Sequence, residues 1–321
     1  MSFAEQERAL FDLLFDHALR ERFRKSPGTA LRDYELDDSE RADFFGIRSD
    51  ALEMDAYIRA DFLLSHLCRA FPLSFSLASS LPGGFELLRQ LIDTSTMRTP
   101  PDERTPAFGA RLRELLAASP FSSAAEQAAV VAIAEVELGM AMTAGALRQT
   151  LAAGGSAPPS PPALPVHWLE QPLQMAAFVS AALIPRSFPQ LKQALCPCPD
   201  AELWTHLSDT PLPASVRTGA LAPQTPRLLL AQARVTHLSA CDVNIEHATL
   251  ELSDGFAPLF AHVNGATSVA GILAEMRRVG APEGVLQGIQ SAFRQLLEAG
   301  MIIVGPAAPD VLSPALAPAS L

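Results

Sequence analysis

The sequence predicts a mainly α-helical protein that ends in a small α+β domain. Residues 1–152 place apolar side chains at helical spacing and show almost none of the apolar–polar alternation of strands. Residues 226–306 instead begin with two strand-like segments and continue with three short amphipathic segments. The region between them, 153–225, is rich in proline. We therefore predict a helical domain, a partly helical connecting region and a C-terminal α+β domain.

The first 152 residues are predicted to form a series of helices separated by proline and glycine. Asp37 and Glu40 have the spacing of a capping box, which marks the start of one helix. A polar segment with several prolines, 98–106, predicts a loop. Amphipathic or apolar helical patterns cover 52–71, 85–92, 108–116 and the alanine-rich 124–151, which is the longest.

The connecting region begins with a linker. Gly154, Gly155 and Ser156 are typical of a flexible chain, and the prolines that follow are typical of a stiff one. Residues 168–183 are compatible with a helix, and further prolines interrupt the chain after it. Trp168 and Trp204 are large apolar side chains that need burial, so we expect this region to pack on a neighbouring domain.

The C-terminal domain has the element order of a winged helix-turn-helix: two strands, three helices and a closing strand. Thr267 or Ser268 is a suitable N-cap for the second helix, and Gly300 is a suitable residue to end the third. The proline-rich tail, 307–321, is predicted to be disordered. The predicted strands are 227–238, 242–253 and 301–304, and the predicted helices are 256–263, 269–279 and 283–299.

Composition excludes several classes of protein. The chain has 24 Lys and Arg against 35 Asp and Glu, a formal net charge of −11, so general binding to nucleic acid is disfavoured. The N-terminus lacks the basic and apolar segments of a signal peptide. The longest apolar run, 124–142, contains three glutamates and does not resemble a membrane span. We expect a soluble cytoplasmic protein that binds neither nucleic acid nor membrane.

Motifs for catalysis or metal binding are not found in the sequence. Cys196 and Cys198, with His206 and His237, would complete a four-ligand zinc set, but their spacing matches no zinc motif. We interpret the two cysteines as ordinary loop residues. The histidines and serines also lack the spacings of metalloprotease and hydrolase motifs. We predict no catalytic residue and no metal site in this chain.

Residues 259–269, LFAHVNGATSV, resemble a turn between two helices in a known winged-helix family. The family is the PqqD-like domain that recognises leader peptides in systems modifying ribosomally made peptides, and its turn has the pattern L-D-G-x-x-S/T-V. Asn264 stands where the family more often has Asp, and both residues suit a turn. The resemblance covers residues 226–306 and implies that this domain binds a precursor peptide.

A second, shorter resemblance lies near the N-terminus. Residues 23–41 are similar to a helical segment, F-x-x-D-P-x-x-x-L-x-x-Y-G-L-T-x-E-E, of the small subunit of ring-cleaving dioxygenases and of some precursor leaders. Ser26 and Glu35 replace the usual Asp and Gly. The whole chain resembles accessory partners of multinuclear iron-dependent oxidative enzymes, such as the partner in the thiaglutamate pathway. This resemblance implies that the iron and the chemistry belong to another subunit, with no cofactor in this chain.

The peptide is expected to add as a strand to the edge near 248–253, with the third helix as the other wall of the groove. On that helix, Val285, Ile289, Phe293 and Leu296 form a stripe that is mostly core, and Gln290 and Arg294 are the better candidates for polar contacts. The predicted peptide-binding residues are Ala248, Thr249, Leu250, Glu251, Leu252, Ile289, Gln290, Phe293 and Arg294.

Two alternatives stay open at the level of sequence. In the first, the chain is a metal-dependent oxygenase or transferase in its own right, with a regulatory winged domain. In the second, it is an acidic transcriptional regulator. The second alternative is disfavoured because residues 226–306 contain five arginines against seven acidic residues, whereas a DNA-binding helix needs cations for phosphate contacts.

Overall fold

The computed structural model describes residues 3–157, 164–239 and 243–305. This part of the chain is mainly helical, with a small C-terminal part of strands and helices, as predicted. Its contacts divide the chain into two compact units, residues 1–119 with 195–217, and residues 120–194 with 218–321. The predicted tail, 307–321, and most of the proline run of the linker lie outside the described residues.

Helices follow one another through the described part of the first 152 residues. The capping box is confirmed: the Asp37 carboxylate accepts from Glu40 N at 2.9 Å, and the Glu40 carboxylate accepts from Asp37 N at 2.8 Å. The helices are α1 Phe3–Phe15, α2 His17–Lys25, α3 Pro27–Ala30, α4 Asp38–Phe45, α5 Ser49–Ala70, α6 Pro72–Ser79, α7 Gly84–Gln90, α8 Thr94–Arg98, α9 Pro101–Ala118 and α10 Ala124–Ala152.

The predicted loop at 98–106 is wrong, because α9 already begins at Pro101. Proline is favourable at the first position of a helix, where its missing N–H has no intrahelical partner. Pro106 lies one turn further and removes a single helical hydrogen bond. Arg104 reinforces the α8–α9 corner by donating to the carbonyl oxygens of Met97 and Thr99.

The rest of the described chain alternates strands with short helices. Two segments, Trp168–Glu170 and Asp254–Phe256, are 3₁₀ turns. The elements are β1 Pro172–Met175, β2 Val179–Ile184, α11 Phe188–Leu195, α12 Leu203–Asp209, α13 Ala214–Ala220, β3 Arg227–Leu238, β4 Val243–Ser253, α14 Ala257–Phe260, β5 Asn264–Ser268, α15 Val269–Arg278, α16 Glu283–Glu298 and β6 Ile302–Val304.

The first unit is built around an aromatic cluster. The ring of Phe108, on α9, lies 6.1 Å from that of Phe71 and 5.9 Å from that of Phe75. Trp204 on α12 contacts Phe75 and Phe85, with ring centres 5.7 and 5.5 Å away. Trp204 is therefore buried as expected, by the helices of the first unit.

The second unit contains two antiparallel three-stranded sheets. One has the strand order β5-β1-β6 and the other β2-β3-β4. A large core lies between these strands and the helices α15 and α16, and it includes Trp168 and Phe293. α10 packs against β2, β3 and β4. It therefore belongs with the sheets, and the unit boundaries differ from the predicted domain boundaries.

The helix expected at 168–183 is wrong, because this segment forms a 3₁₀ turn followed by β1 and β2. β1 pairs with β5 and β6, and β2 pairs with β3, all of which come much later in the chain. Phe178, with φ of 58°, makes the tight connection between the two strands. Such distant pairing leaves little signal in the local sequence pattern.

Among the described residues, α10 is long and apolar enough to cross a membrane by length and composition. Half of its most apolar window is buried within the protein. Glu126 and Glu137, which the sequence placed on this helix, are buried too. A core helix of a globular protein meets the same criteria.

Candidate functional site

The predicted binding edge, 248–253, lies on β4. β4 pairs with β3 in a register that runs from Arg227 opposite Ser253 to Leu238 opposite Val243. Within the described residues, β4 is the outer strand of its sheet and pairs with β3 alone. An unpaired strand edge presents main-chain donors and acceptors to whatever lies beside it.

The hydrogen bonds of the sheet show which groups of β4 point outward. Ala233 N donates to Phe178 O at 2.9 Å, so Ala233 directs its main-chain groups toward β2. Successive residues of an antiparallel strand direct their main-chain hydrogen bonds to alternate sides. In the regular part of the ladder, the odd-numbered residues of β3 therefore bond to β2 and the even-numbered residues bond to β4. Their partners on β4 are also even-numbered. His247, Thr249 and Glu251 therefore direct their main-chain N–H and C=O groups to the open side.

The side chains of the five predicted strand residues do not share one role. Ala248, Leu250 and Leu252 lie on the sheet face that packs on the core containing Phe293. Thr249 is exposed on the opposite face. The apolar residues of this strand are already used in packing, so a strand added at this edge would bond mainly to the main chain.

Glu251 has a structural contact of its own. One of its carboxylate oxygens, Oε1, accepts from Ser187 Oγ at 3.2 Å and from Phe188 N at 2.5 Å. Phe188 is the first residue of α11, so the carboxylate satisfies an N–H group that has no partner within that helix. The negative charge is also favourable at a helix N-terminus. Glu251 thus fixes α11 against β4.

His247 attaches the edge strand to α10. Its Nε2 lies 2.9 Å from Met140 O, and the hydroxyl of Thr143 lies 3.5 Å from the same atom. Burial lowers the pKa of the His247 imidazole, an effect that the charge of Arg148 strengthens and the Met140 contact opposes. The ring is therefore neutral at pH 7, and Nε2 carries the proton that it donates to Met140 O.

The residues predicted on α16 divide between its core face and one flank. Ile289 and Phe293 are buried in the core. Gln290 is half-buried, and Arg294 is exposed with its guanidinium carbon 5.8 Å from the ring centre of Trp168. This flank of α16 therefore faces the 3₁₀ turn that precedes β1.

The prediction that Val285 belongs to the core stripe is wrong. Val285 is 49% exposed, whereas the next residue, Leu286, is 2% exposed and takes the core position. Val285, Gly288 and Ala292 form the flank of α16 opposite Arg294, since they lie three to four residues apart. A Cβ built on Gly288 meets no atom within 4 Å. Val285 and Gly288 are exposed on this flank, whereas Ala292 packs against the core. The exposed part was missed from the sequence, although its helical spacing was visible there.

The cysteine pair belongs to the first unit, and both residues are half-buried. Cys196 Sγ is 4.0 Å from Ser76 Oγ. Burial, together with the charges of Glu202 and Asp200, raises the pKa of the Cys198 thiol, so this residue is protonated at neutral pH and is a poor nucleophile. Within residues 3–157, 164–239 and 243–305, no three His, Cys, Asp or Glu residues are grouped as metal ligands would be.

No protein family, curated protein or solved structure with which the chain was compared matches it.

Proposed function

We propose that this protein is a non-catalytic accessory subunit that binds the leader of a ribosomally made precursor peptide. It presents a cysteine of that peptide to a partner iron-dependent oxidase, as in a thiaglutamate-type pathway. The observation that carries the proposal is the open edge of β4, where His247, Thr249 and Glu251 direct their main-chain groups outward. Main-chain hydrogen bonds give affinity that depends little on side-chain identity, which suits a leader peptide.

The proposal includes a specific fold for the C-terminal part of the chain. We interpret β3, β4, α14, α15, α16 and β6 as a winged helix-turn-helix in which a peptide strand lies beside β4. The predicted contacts on the strand are Ala248, Thr249, Leu250, Glu251 and Leu252, and those on α16 are Ile289, Gln290, Phe293 and Arg294. Because most of these side chains pack in the core or contact other residues, their main role is to hold the edge in place.

The proposed division of labour has a physical advantage. A subunit that holds the leader and the enzyme at once raises the effective concentration of the substrate cysteine at the metal. The peptide region that reacts then needs few contacts of its own, because orientation is supplied by the tethered leader. The iron and its chemistry belong to the partner enzyme.

The first experiment identifies the ligand. The full-length protein is tagged in its native host, isolated anaerobically, and its companions are identified by mass spectrometry. The expected companions are an iron-containing enzyme and a short peptide with a cysteine. Protein that is isolated alone, with iron bound at one or more atoms per chain, contradicts the proposal and supports a stand-alone oxygenase.

The second experiment tests the β4 edge with a synthetic copy of that peptide. Thr249→Pro removes an outward N–H group, and proline is tolerated on the outer side of an edge strand. Thr249→Val keeps the N–H group and changes only the side chain. We expect calorimetry to find about 5- to 100-fold weaker binding for Thr249→Pro and little change for Thr249→Val, because one lost hydrogen bond to a desolvated partner costs about 1–3 kcal/mol.

Two controls separate binding from folding. Both variants are compared with the parent protein by circular dichroism and by melting temperature. Peptides that are N-methylated at single main-chain amides are also titrated into the unmodified protein. Methylation of an amide that bonds to β4 should weaken binding. Unchanged binding by Thr249→Pro together with full tolerance of N-methylation would exclude the β4 edge. Deleting residues 226–306 is unsuitable, since β1 and β2 pair with strands in that range.

A further inference from the structure

α5 in the first unit is apolar on two opposite sides. Its inner side is buried in the helical core. Its outer side carries Met54, Ile58 and Phe62, which are 61%, 57% and 65% exposed. A helix on the surface of a globular protein normally has one apolar stripe and a polar opposite face. The buried residues of the inner side are Leu52, Ala56, Ala60, Leu64, Leu67 and Cys68.

The three exposed side chains form a continuous line, which we call the outer face of α5. They are spaced four residues apart and so lie one above another along two turns. Tyr57, 45% exposed, borders the line and is covered by the Arg89 guanidinium, whose carbon lies 4.0 Å from the ring centre. Single exposed apolar residues are common, but a contiguous line of this length indicates an interaction surface.

The charges beside the outer face are arranged in complementary pairs. On one flank, Arg59 Nε lies 3.0 Å from an oxygen of Asp55. On the other flank, Arg89 Nε lies 2.8 Å from an oxygen of Asp61. Arg89 also lies 3.8 Å from an oxygen of Glu86, so only the Asp55–Arg59 flank is a one-to-one pair of charges. A partner therefore needs an apolar face and, beside that flank, a matching pair of opposite charge.

A second copy of α5 has these properties. If two copies pack antiparallel about a two-fold axis near Ile58, the same flank of each helix lies beside the other. Met54 then meets Phe62 of the second copy, and Ile58 meets Ile58. Asp55 comes close to Arg59 of the second copy, and Arg59 comes close to Asp55. The acid and base spaced four residues apart make this flank complementary to itself.

We propose that the outer face of α5 is a homodimer interface in which two chains pair through antiparallel α5 helices. The proposal does not depend on peptide binding. A standard interface uses about 20–30 residues on each side, and the outer face with its flanks provides fewer, so we expect a reversible dimer with a micromolar dissociation constant.

The test is sedimentation velocity of the full-length protein from low micromolar to several hundred micromolar concentration. Ile58→Arg places two like charges at the two-fold axis and should raise the dissociation constant at least about tenfold. Ile58 is exposed, so the fold should be retained, as circular dichroism can verify. Met142→Arg is the matched control, since Met142 is an exposed methionine on α10, and it should leave the dimer unchanged.

The charged flank supplies a second test. Asp55→Arg brings two arginines together across the axis and should weaken the dimer, whereas Asp55→Arg combined with Arg59→Asp should restore it. A protein that is monomeric at every concentration overturns the proposal. So does a dimer that is insensitive to Ile58→Arg. A monomer whose Ile58→Arg variant loses another binding partner assigns the surface to that partner and also overturns the homodimer.

Discussion

Replacing Gly84 by alanine is expected to destabilise the first unit. Gly84 begins α7 and lies directly against the end of α6. A Cβ built on Gly84 would be 1.9 Å from Ala78 O and 2.9 Å from Ala78 C, whereas real Cβ atoms stay beyond 3.0 Å. Both clashing atoms are main-chain atoms, so no side-chain rotation relieves the contact.

The cost follows from the shift that the contact requires. The start of α7 must move by about 1 Å, which displaces Phe85 from Trp204 and Leu88 from the core. Overpacking of this kind costs about 1–3 kcal/mol, and we expect the upper half of that range because main chain meets main chain. The loss is measured by urea unfolding. Trp168 and Trp204 are the two tryptophans of the chain, so in a Trp168→Phe background fluorescence reports the first unit alone.

Gly28→Ala in the same unit is the matched control. A Cβ there would meet its nearest atom, on Phe45, at 3.9 Å, an ordinary contact, so the change should stay within about 0.5 kcal/mol. If Gly84→Ala unfolds at the same urea concentration as Gly28→Ala, the close approach of α6 and α7 does not constrain the fold and the reasoning fails.

Two further predictions concern the second unit. Glu251→Ala should lower the stability of this unit by about 1–2 kcal/mol, because it removes the acceptor for Phe188 N and Ser187 Oγ. Glu246→Ala, on an exposed residue of the same strand, should change the stability by less than about 0.5 kcal/mol. Urea unfolding followed by Trp168 fluorescence in a Trp204→Phe background measures both effects. Stability should also fall as pH decreases below 6.5, because burial lowers the pKa of His247 and the unfolded state therefore binds a proton before the folded state does. His247→Gln should flatten this dependence between about pH 6.5 and pH 5, and an equal slope in the variant would assign the effect to other groups.

Local signals in the sequence were sufficient to predict those elements whose structure is determined by neighbouring residues. The capping box at Asp37, the N-cap at Ser268 and the end of α16 at Gly300, where φ is 73°, each depend on a few adjacent residues. β3 and β4 were also predicted, because each is long and bounded by turn residues.

Elements that depend on distant partners were missed. β1 is four residues long, and its Gln174 pairs with Ile303, so its conformation is set by a strand far along the chain. The same limit applies to the candidate site. The sequence located the strand 248–252, but the direction of its main-chain groups follows from the arrival of β2 on the other side of β3. On α16, the core position was assigned to Val285 although Leu286 occupies it, because a shift of one residue rotates the apolar face by about 100°.

The packing of α10 against β2 and β3 has a consequence for synthesis of the protein in the cell. The ribosome completes α10 at residue 152, but β3 ends only at residue 238. At typical translation rates, the delay is on the order of 10 s. During that time this long apolar helix of the nascent chain has no complete sheet to cover it. We therefore expect chains stalled between α10 and β3 to depend on chaperones that bind exposed apolar helices.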